Sequence, residues 1–85
     1  MERRHTIAAA PEVNVPVRVR GMSQEHRFFD IQTITTRVTR DFIVVLLGEA
    51  VELDAELHVT NLQTQIETSY SLTSQLSQLS LVKFL

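Results

Sequence analysis

Apolar and polar residues alternate along the first half of this chain, a pattern typical of β-strands. In residues 13–20 every second position is valine, and Asn14, Pro16, Arg18 and Arg20 lie between the valines. Successive side chains of a strand point to opposite faces, so this segment is predicted to be a half-buried strand with both arginines outward. Pro16 has no N–H, which predicts a sheet edge or a bulge at its backbone.

The next two segments predict a turn and a second strand. Residues 21–27 are polar and open with a glycine, which indicates a connecting turn. Residues 28–39 are rich in β-branched side chains and predict a strand. The apolar phase shifts between Ile31 and Ile34, so a bend or bulge is expected there.

A third and a fourth strand follow. Residues 42–47 form a continuous apolar run ended by Gly48, and Asp41 separates this run from the second strand, which favours a tight hairpin. Alternation returns within residues 51–60, and a strand is predicted at 55–60.

Beyond that strand, residues 61–64 predict a turn. The alternating Ile66, Thr68, Tyr70 and Leu72 predict one further strand face.

The tail, residues 73–85, is ambiguous. Leu76 and Leu79 continue from Leu72 at a spacing that suits one face of a helix, whereas strand alternation is incomplete. A short C-terminal helix and a loosely packed strand are both compatible with the pattern. The leucine stripe could dock a partner, although such stripes more often pack on their own core.

About five short antiparallel strands predict an all-β fold, and closure into a small β-barrel would hide edges that a chain of 85 residues could not otherwise cover. We expect one domain over residues 1–85, with an N-terminal arm (1–12), barrel strands (13–72) and the uncertain tail (73–85). The predicted core consists of Val15, Val17, Val19, Ile43, Val45, Leu57 and Val59.

Composition narrows the classes of function. The chain has no cysteine, a net charge of -2 and no apolar run long enough to span a membrane as a helix. We therefore expect a cytoplasmic protein without a secretory signal that binds neither membranes nor nucleic acid. Arginines concentrate in the first half of the chain, so an anion site is expected there.

The sequence predicts no enzyme, metal site or cofactor. It lacks a nucleophile elbow, a phosphate-cradling glycine loop and an HExxH motif. His5, His26 and His58 have no companions at metal-ligand spacing and are expected at the surface.

Arg3 and Arg4 precede the first predicted strand by a few residues. Guanidinium groups bind phosphate oxygens and the O6/N7 edge of guanine with paired hydrogen bonds. An arginine pair on an arm that leads into a strand is therefore a candidate clamp for a phosphate-rich or guanine-bearing ligand.

The order of these features resembles the PilZ domain, a bacterial receptor for cyclic di-GMP built on a small antiparallel β-barrel. The family has an Arg-x-x-x-Arg arm before the first strand and an Asp/Asn-x-Ser-x-x-Gly motif between the second and third strands. Residues 2–8 and 37–42 occupy the corresponding positions, and 15–19, 43–47 and 57–62 are similar to the family's strands.

The resemblance implies a bacterial signalling domain that binds cyclic di-GMP. Arg3 and Arg4 would contact phosphates and guanine edges, while Arg37 and Thr39 stand where the family has Asp or Asn and Ser. Arg40 adds positive charge near the expected pocket.

The chain departs from the family pattern at three positions. Ala8 stands in place of the second arm arginine, Arg37 in place of the acceptor and Phe42 in place of the glycine. Each lost charge-assisted hydrogen bond removes about 1.5–3 kcal/mol at a desolvated contact, so weakened affinity is expected. The alternative is a degenerate barrel that binds a protein partner and no nucleotide.

Overall fold

A computed structural model of the chain describes residues 13–76 and 78–85. The predicted arm, with Arg3 and Arg4, lies outside the described residues. Alternating apolar segments form six strands, which are β1 (Pro16–Met22), β2 (Phe28–Val38), β3 (Phe42–Leu46), β4 (Glu56–Asn61), β5 (Glu67–Leu76) and β6 (Leu79–Phe84).

The strands close into one antiparallel barrel in the order β1-β2-β3-β6-β5-β4, with β4 returning to β1. The predicted all-β barrel is therefore confirmed. Hairpins join β1 to β2, β2 to β3, β4 to β5 and β5 to β6, and residues 47–55 cross one end of the barrel from β3 to β4.

The buried aliphatic side chains of the barrel interior come from every strand except β2, together with two from the crossing segment, and β2 adds the partly buried Phe29 and Ile31. Six of the seven predicted core residues are buried, and Val15 is half-buried against the same cluster. Arg18 and Arg20 point outward, as the alternation predicts. The core consists of Val17, Val19, Ile43, Val45, Leu47, Val51, Leu57, Val59, Leu72 and Val82.

Strand β2 turns Phe29, Ile31 and Thr35 toward the barrel interior, and Thr35 is the most deeply buried of the three. Thr35 is 1% exposed, whereas Ile34 points outward and is 41% exposed. The pairing with β1 runs without a break through Ile31 and Ile34, so the bulge predicted between them is wrong. The register shift lies between Thr35 and Arg37 in the pairing with β3.

The first predicted turn starts too early. Gly21 and Met22 belong to β1, and the turn begins at Ser23, whose backbone N–H donates to the carbonyl of Arg27. Gly21 is buried beside the Leu57 side chain, so its role is close packing.

The second half completes the barrel with strands. Asn61 closes the predicted 61–64 turn, where its Oδ1 accepts from the N–H groups of Gln63 and Thr64. The tail is part of the β5–β6 hairpin, so its strand alternative is confirmed and its helix alternative is wrong. Leu72 is buried, whereas Leu76 and Leu79 are exposed on the outer wall.

Candidate ligand-binding end of the barrel

One end of the barrel combines the start of β1 with the β2–β3 and β4–β5 turns, and we call it the arm end. Val13, which follows the predicted arm directly, donates its N–H to the carbonyl of Thr36 in β2. The chain that follows residues 1–12 therefore enters the barrel beside the end of β2 and residues 37–42.

Thr35 fixes this entry point. Its hydroxyl accepts from the Val15 N–H at 2.9 Å and donates to the Val13 carbonyl, and its own N–H donates to the Val15 carbonyl at 3.0 Å. The Asn14 side-chain amide adds a bond to the Thr35 carbonyl. Thr35 was not identified from the sequence as the residue that fixes this entry point. The available signal was its position among β-branched residues, two alternations after Ile31 on the inward face of β2.

Thr39 organises the β2–β3 turn. Its hydroxyl accepts from the N–H groups of Asp41 and Phe42 and donates to the Phe42 carbonyl at 3.1 Å. This turn needs no glycine, because positive φ angles among the described non-glycine residues occur only at His26, Asp54 and Gln65. The Thr39 hydroxyl is thus exposed at the rim but already engaged by the turn.

Arg37 lies on the outer wall of β2. Its Cα is paired with Val44, which alternates with the buried Ile43 and Val45 and so faces outward. Arg40 is exposed in the adjoining turn. Two of the predicted site residues, Arg37 and Thr39, therefore lie together at the arm end, and the other two, Arg3 and Arg4, are outside the described residues.

The mouth of the barrel at the arm end is an open cavity of about 320 Å³. No charged side chain of the described residues lines it. Partial burial raises the pKa of the Tyr70 hydroxyl above its ordinary value, which already keeps this hydrogen-bonding group neutral at physiological pH. The lining consists of Val15, Val17, Thr35, Val38, Ile43, Val59, Asn61, Thr64, Ile66, Thr68 and Tyr70.

A second, larger depression of about 700 Å³ lies at the opposite end, against the segment that crosses from β3 to β4. Gln75 braces this segment, because its side chain accepts from the Val51 N–H and donates to the Glu49 carbonyl at 2.6 Å. No cation lines the depression among the described residues, which disfavours it as an anion site.

Ion pairs cover the outer wall of β1 and its neighbours. Arg18 donates to both carboxylate oxygens of Asp30, and the hydrogen bond holds the pKa of Asp30 below its usual range. Glu67 lies between Arg20 at 2.6 Å and His58 Nδ1 at 3.2 Å. These arginines are therefore occupied by carboxylates on the wall rather than directed at the arm end.

Within residues 13–76 and 78–85 the structure contains no grouping of three or more histidine or acidic side chains suited to a metal ion. Nor does this part of the chain include a helix with the length and apolar character needed to cross a membrane.

Comparison with known proteins gave no match to this chain among family models, curated protein sequences or solved structures.

Proposed function

We propose that this chain is a cytoplasmic bacterial signalling domain of the PilZ type, which binds cyclic di-GMP weakly at the arm end of its barrel. The observation that carries the proposal is the hydrogen bond between Val13 and Thr36. It joins the root of the arginine-bearing arm to β2 next to Arg37, three residues before Thr39. The arm and the turn between β2 and β3 are the two segments that hold the ligand in the family.

Electrostatics support an anionic ligand at this rim. Arg37 lies at the arm end of β2, Arg40 in the turn between β2 and β3, and Lys83 at the arm end of β6, and Asp41 is the acidic residue among them. Arg3 and Arg4 would add two further cations from the arm. Guanidinium groups stack on flat rings and bind phosphates with paired hydrogen bonds, which suits a cyclic dinucleotide.

We expect weak affinity for cyclic di-GMP for two reasons. Ala8 and Arg37 differ from the residues that the family has at these positions, and the Thr39 hydroxyl is already hydrogen-bonded within its own turn. The Thr39 hydroxyl must leave its bonds with Phe42 before it can contact a guanine. Each charge-assisted contact that is missing weakens binding by roughly tenfold to a hundredfold.

Isothermal titration calorimetry with cyclic di-GMP tests this proposal. We expect weak, salt-dependent binding that the double substitution Arg3→Ala, Arg4→Ala abolishes. Cyclic di-AMP is the matched control, because it carries the same two phosphates without guanine. Equal affinity for both ligands would show that the chain binds the phosphates and does not recognise guanine. Unchanged binding in the double variant would show that Arg3 and Arg4 do not hold the ligand.

A repair variant separates a weakened site from an absent one. Ala8→Arg with Arg37→Asp and Phe42→Gly restores the second arm arginine, the guanine acceptor and the family's glycine. We expect a gain in affinity larger than the sum of the single changes, provided that circular dichroism shows a folded barrel. A folded triple variant that binds cyclic di-GMP no better than the parent contradicts descent from a nucleotide site.

The second candidate function is a protein-interaction module, and the lining of the mouth favours it. A cavity of about 320 Å³ with mainly aliphatic walls suits an apolar side chain of a protein partner better than a phosphate. If calorimetry detects no binding heat with millimolar cyclic di-GMP, the protein-interaction module becomes the favoured function.

A further inference from the structure

The outer wall of the barrel has an apolar face that lies away from the ion pairs of β1 and is bordered on its β2 side by Arg37, which is paired with Val44. Side chains on this face alternate with the buried Ile43, Val45, Ser80 and Val82 along β3 and β6, and therefore point outward. We call it the β3–β6 face, and its members are Phe42, Val44, Leu46, Leu76, Leu79 and Leu81.

Cross-strand pairing makes these side chains contiguous. Leu79 of β6 is paired with Leu46 of β3 on one side and with Leu76 of β5 on the other, and Leu81 is paired with Val44. Leu76 is 80% exposed and Leu79 is 44% exposed. These pairings give an unbroken apolar surface that crosses three neighbouring strands.

The face also contains an open depression of about 540 Å³. Phe42, Leu81 and the bulge residue Thr73 form its walls, and Asp41 and Lys83 lie on its rim. Among the described residues, neither the Asp41 carboxylate nor the Lys83 ammonium takes part in an ion pair. The rim thus presents one acidic and one basic group beside an apolar centre.

We infer that the β3–β6 face binds a second copy of this chain in a two-fold symmetric dimer. In such a dimer a contact between two residues occurs twice, with the roles of the copies exchanged. Lys83 of each copy can then meet Asp41 of the other while the leucines pack together. A surface that carries both charges of the pair is complementary to itself, whereas a strongly acidic or basic partner would leave one of the two groups opposed by a like charge.

The size of the face sets the strength of the dimer. A fully exposed side chain of leucine size presents on the order of 100 Å² of apolar surface. Leu76 and Leu79 are mainly responsible for the exposed area and the other four members are half-buried, so the face presents roughly 200 Å². A standard interface covers about 800 Å² on each partner. The apolar centre is therefore small, and the dimer dissociates in the micromolar to millimolar range.

Sedimentation velocity of the full chain over a concentration series tests the inference. We expect reversible dimerisation, and a dissociation constant raised roughly tenfold or more by Leu79→Glu, because a charge would then face apolar surface. Leu76→Glu, at the exposed end of the hairpin, provides a second variant with the same expected loss if Leu79→Glu does not fold. The matched control is Leu53→Glu in the segment that joins β3 to β4, which is 64% exposed, is not a member of the face and should leave dimerisation unchanged.

A charge exchange tests the two-fold geometry. Asp41→Lys and Lys83→Asp should each weaken the dimer, and the double variant should regain it. A chain that stays monomeric up to millimolar concentration overturns the inference. So does an equal loss in Leu53→Glu, or a double exchange that remains as weak as the single variants.

Discussion

Gly21 is the residue whose packing is most sharply constrained. A Cβ atom added there would lie 2.4 Å from Leu57 Cδ2 and 3.3 Å from Phe29 Cζ. Leu57 is fully buried, so its side chain has little room to move away. We expect Gly21→Ala to lower the free energy of unfolding by about 1–3 kcal/mol through overpacking, measured by urea denaturation.

The chain's other glycine supplies the control for this prediction. No atom lies within 4 Å of a Cβ built on Gly48, and its φ is not positive. Gly48→Ala should therefore be neutral or stabilise the fold by about 0.4–1 kcal/mol, since it restricts the unfolded chain. If Gly21→Ala and Gly48→Ala lowered the free energy of unfolding by similar amounts, the lack of space around Gly21 would not explain the effect of its substitution.

At the scale of elements, alternation predicted the strands wherever valine or leucine marks the inward face. In β2 it predicted the strand but not its inward face, because Thr35 lies inward with Ile31 whereas Ile34 points outward, and the expected bulge between the two isoleucines is absent. The Thr35 hydroxyl is satisfied by the backbone of Val13 and Val15, a partner 20 residues or more away that no local pattern reveals. Tertiary hydrogen bonding therefore offsets the cost of burying the Thr35 hydroxyl.

The tail was ambiguous for a related reason. Leu76 and Leu79 match a helix face by spacing, yet in the barrel they are cross-strand partners on the outer wall. Inward positions of β6 include Ser80, which is fully buried and polar, so apolar alternation is broken there. Pairing with both β3 and β5 determines this strand, and that information is non-local.

The turn of the β2–β3 hairpin is held by the Thr39 side chain, so a substitution of Thr39 tests the stability of this hairpin. Thr39→Ala removes two acceptor bonds and one donor bond in the turn. We expect a loss of about 0.5–1.5 kcal/mol in the free energy of unfolding, because the bonds are solvent-exposed. Amide exchange at Phe42 should also become faster. Thr39→Ser keeps the hydroxyl and serves as the control, and equal effects of Ala and Ser would contradict this role.

At the scale of the whole molecule, the sequence predicts that the strands close into a barrel, but it predicts the candidate site only in part. The short chain and its repeated alternating segments favour a barrel on sequence grounds alone, because closure hides the strand edges. Arg37 and Thr39 are near each other, as their spacing requires, but the bulge before Arg37 places it on the outer wall. A pattern of residue types gives neither that orientation nor the engagement of the Thr39 hydroxyl by its own turn.

The final prediction concerns β6, which closes the barrel. Without β6, both β3 and β5 would be edge strands. It pairs with β3 and β5 and contributes Ser80 and Val82, both 0% exposed. A variant that ends at Gln78 loses all of these contacts and exposes two unpaired strand edges. We expect it to lack a cooperative urea transition and to aggregate in light scattering.

A variant that ends at Lys83 is the graded control. It retains Ser80 and Val82 but loses the Tyr70–Phe84 ring contact, whose centroids are 6.1 Å apart, and the bond from the Phe84 N–H to the Asp41 carbonyl. Because an aromatic pair contributes about 0.5–1.5 kcal/mol beyond its buried area, this variant should unfold cooperatively at a lower urea midpoint. If the chain ending at Gln78 unfolded with the same cooperativity as the full chain, β6 would not be needed to close the barrel.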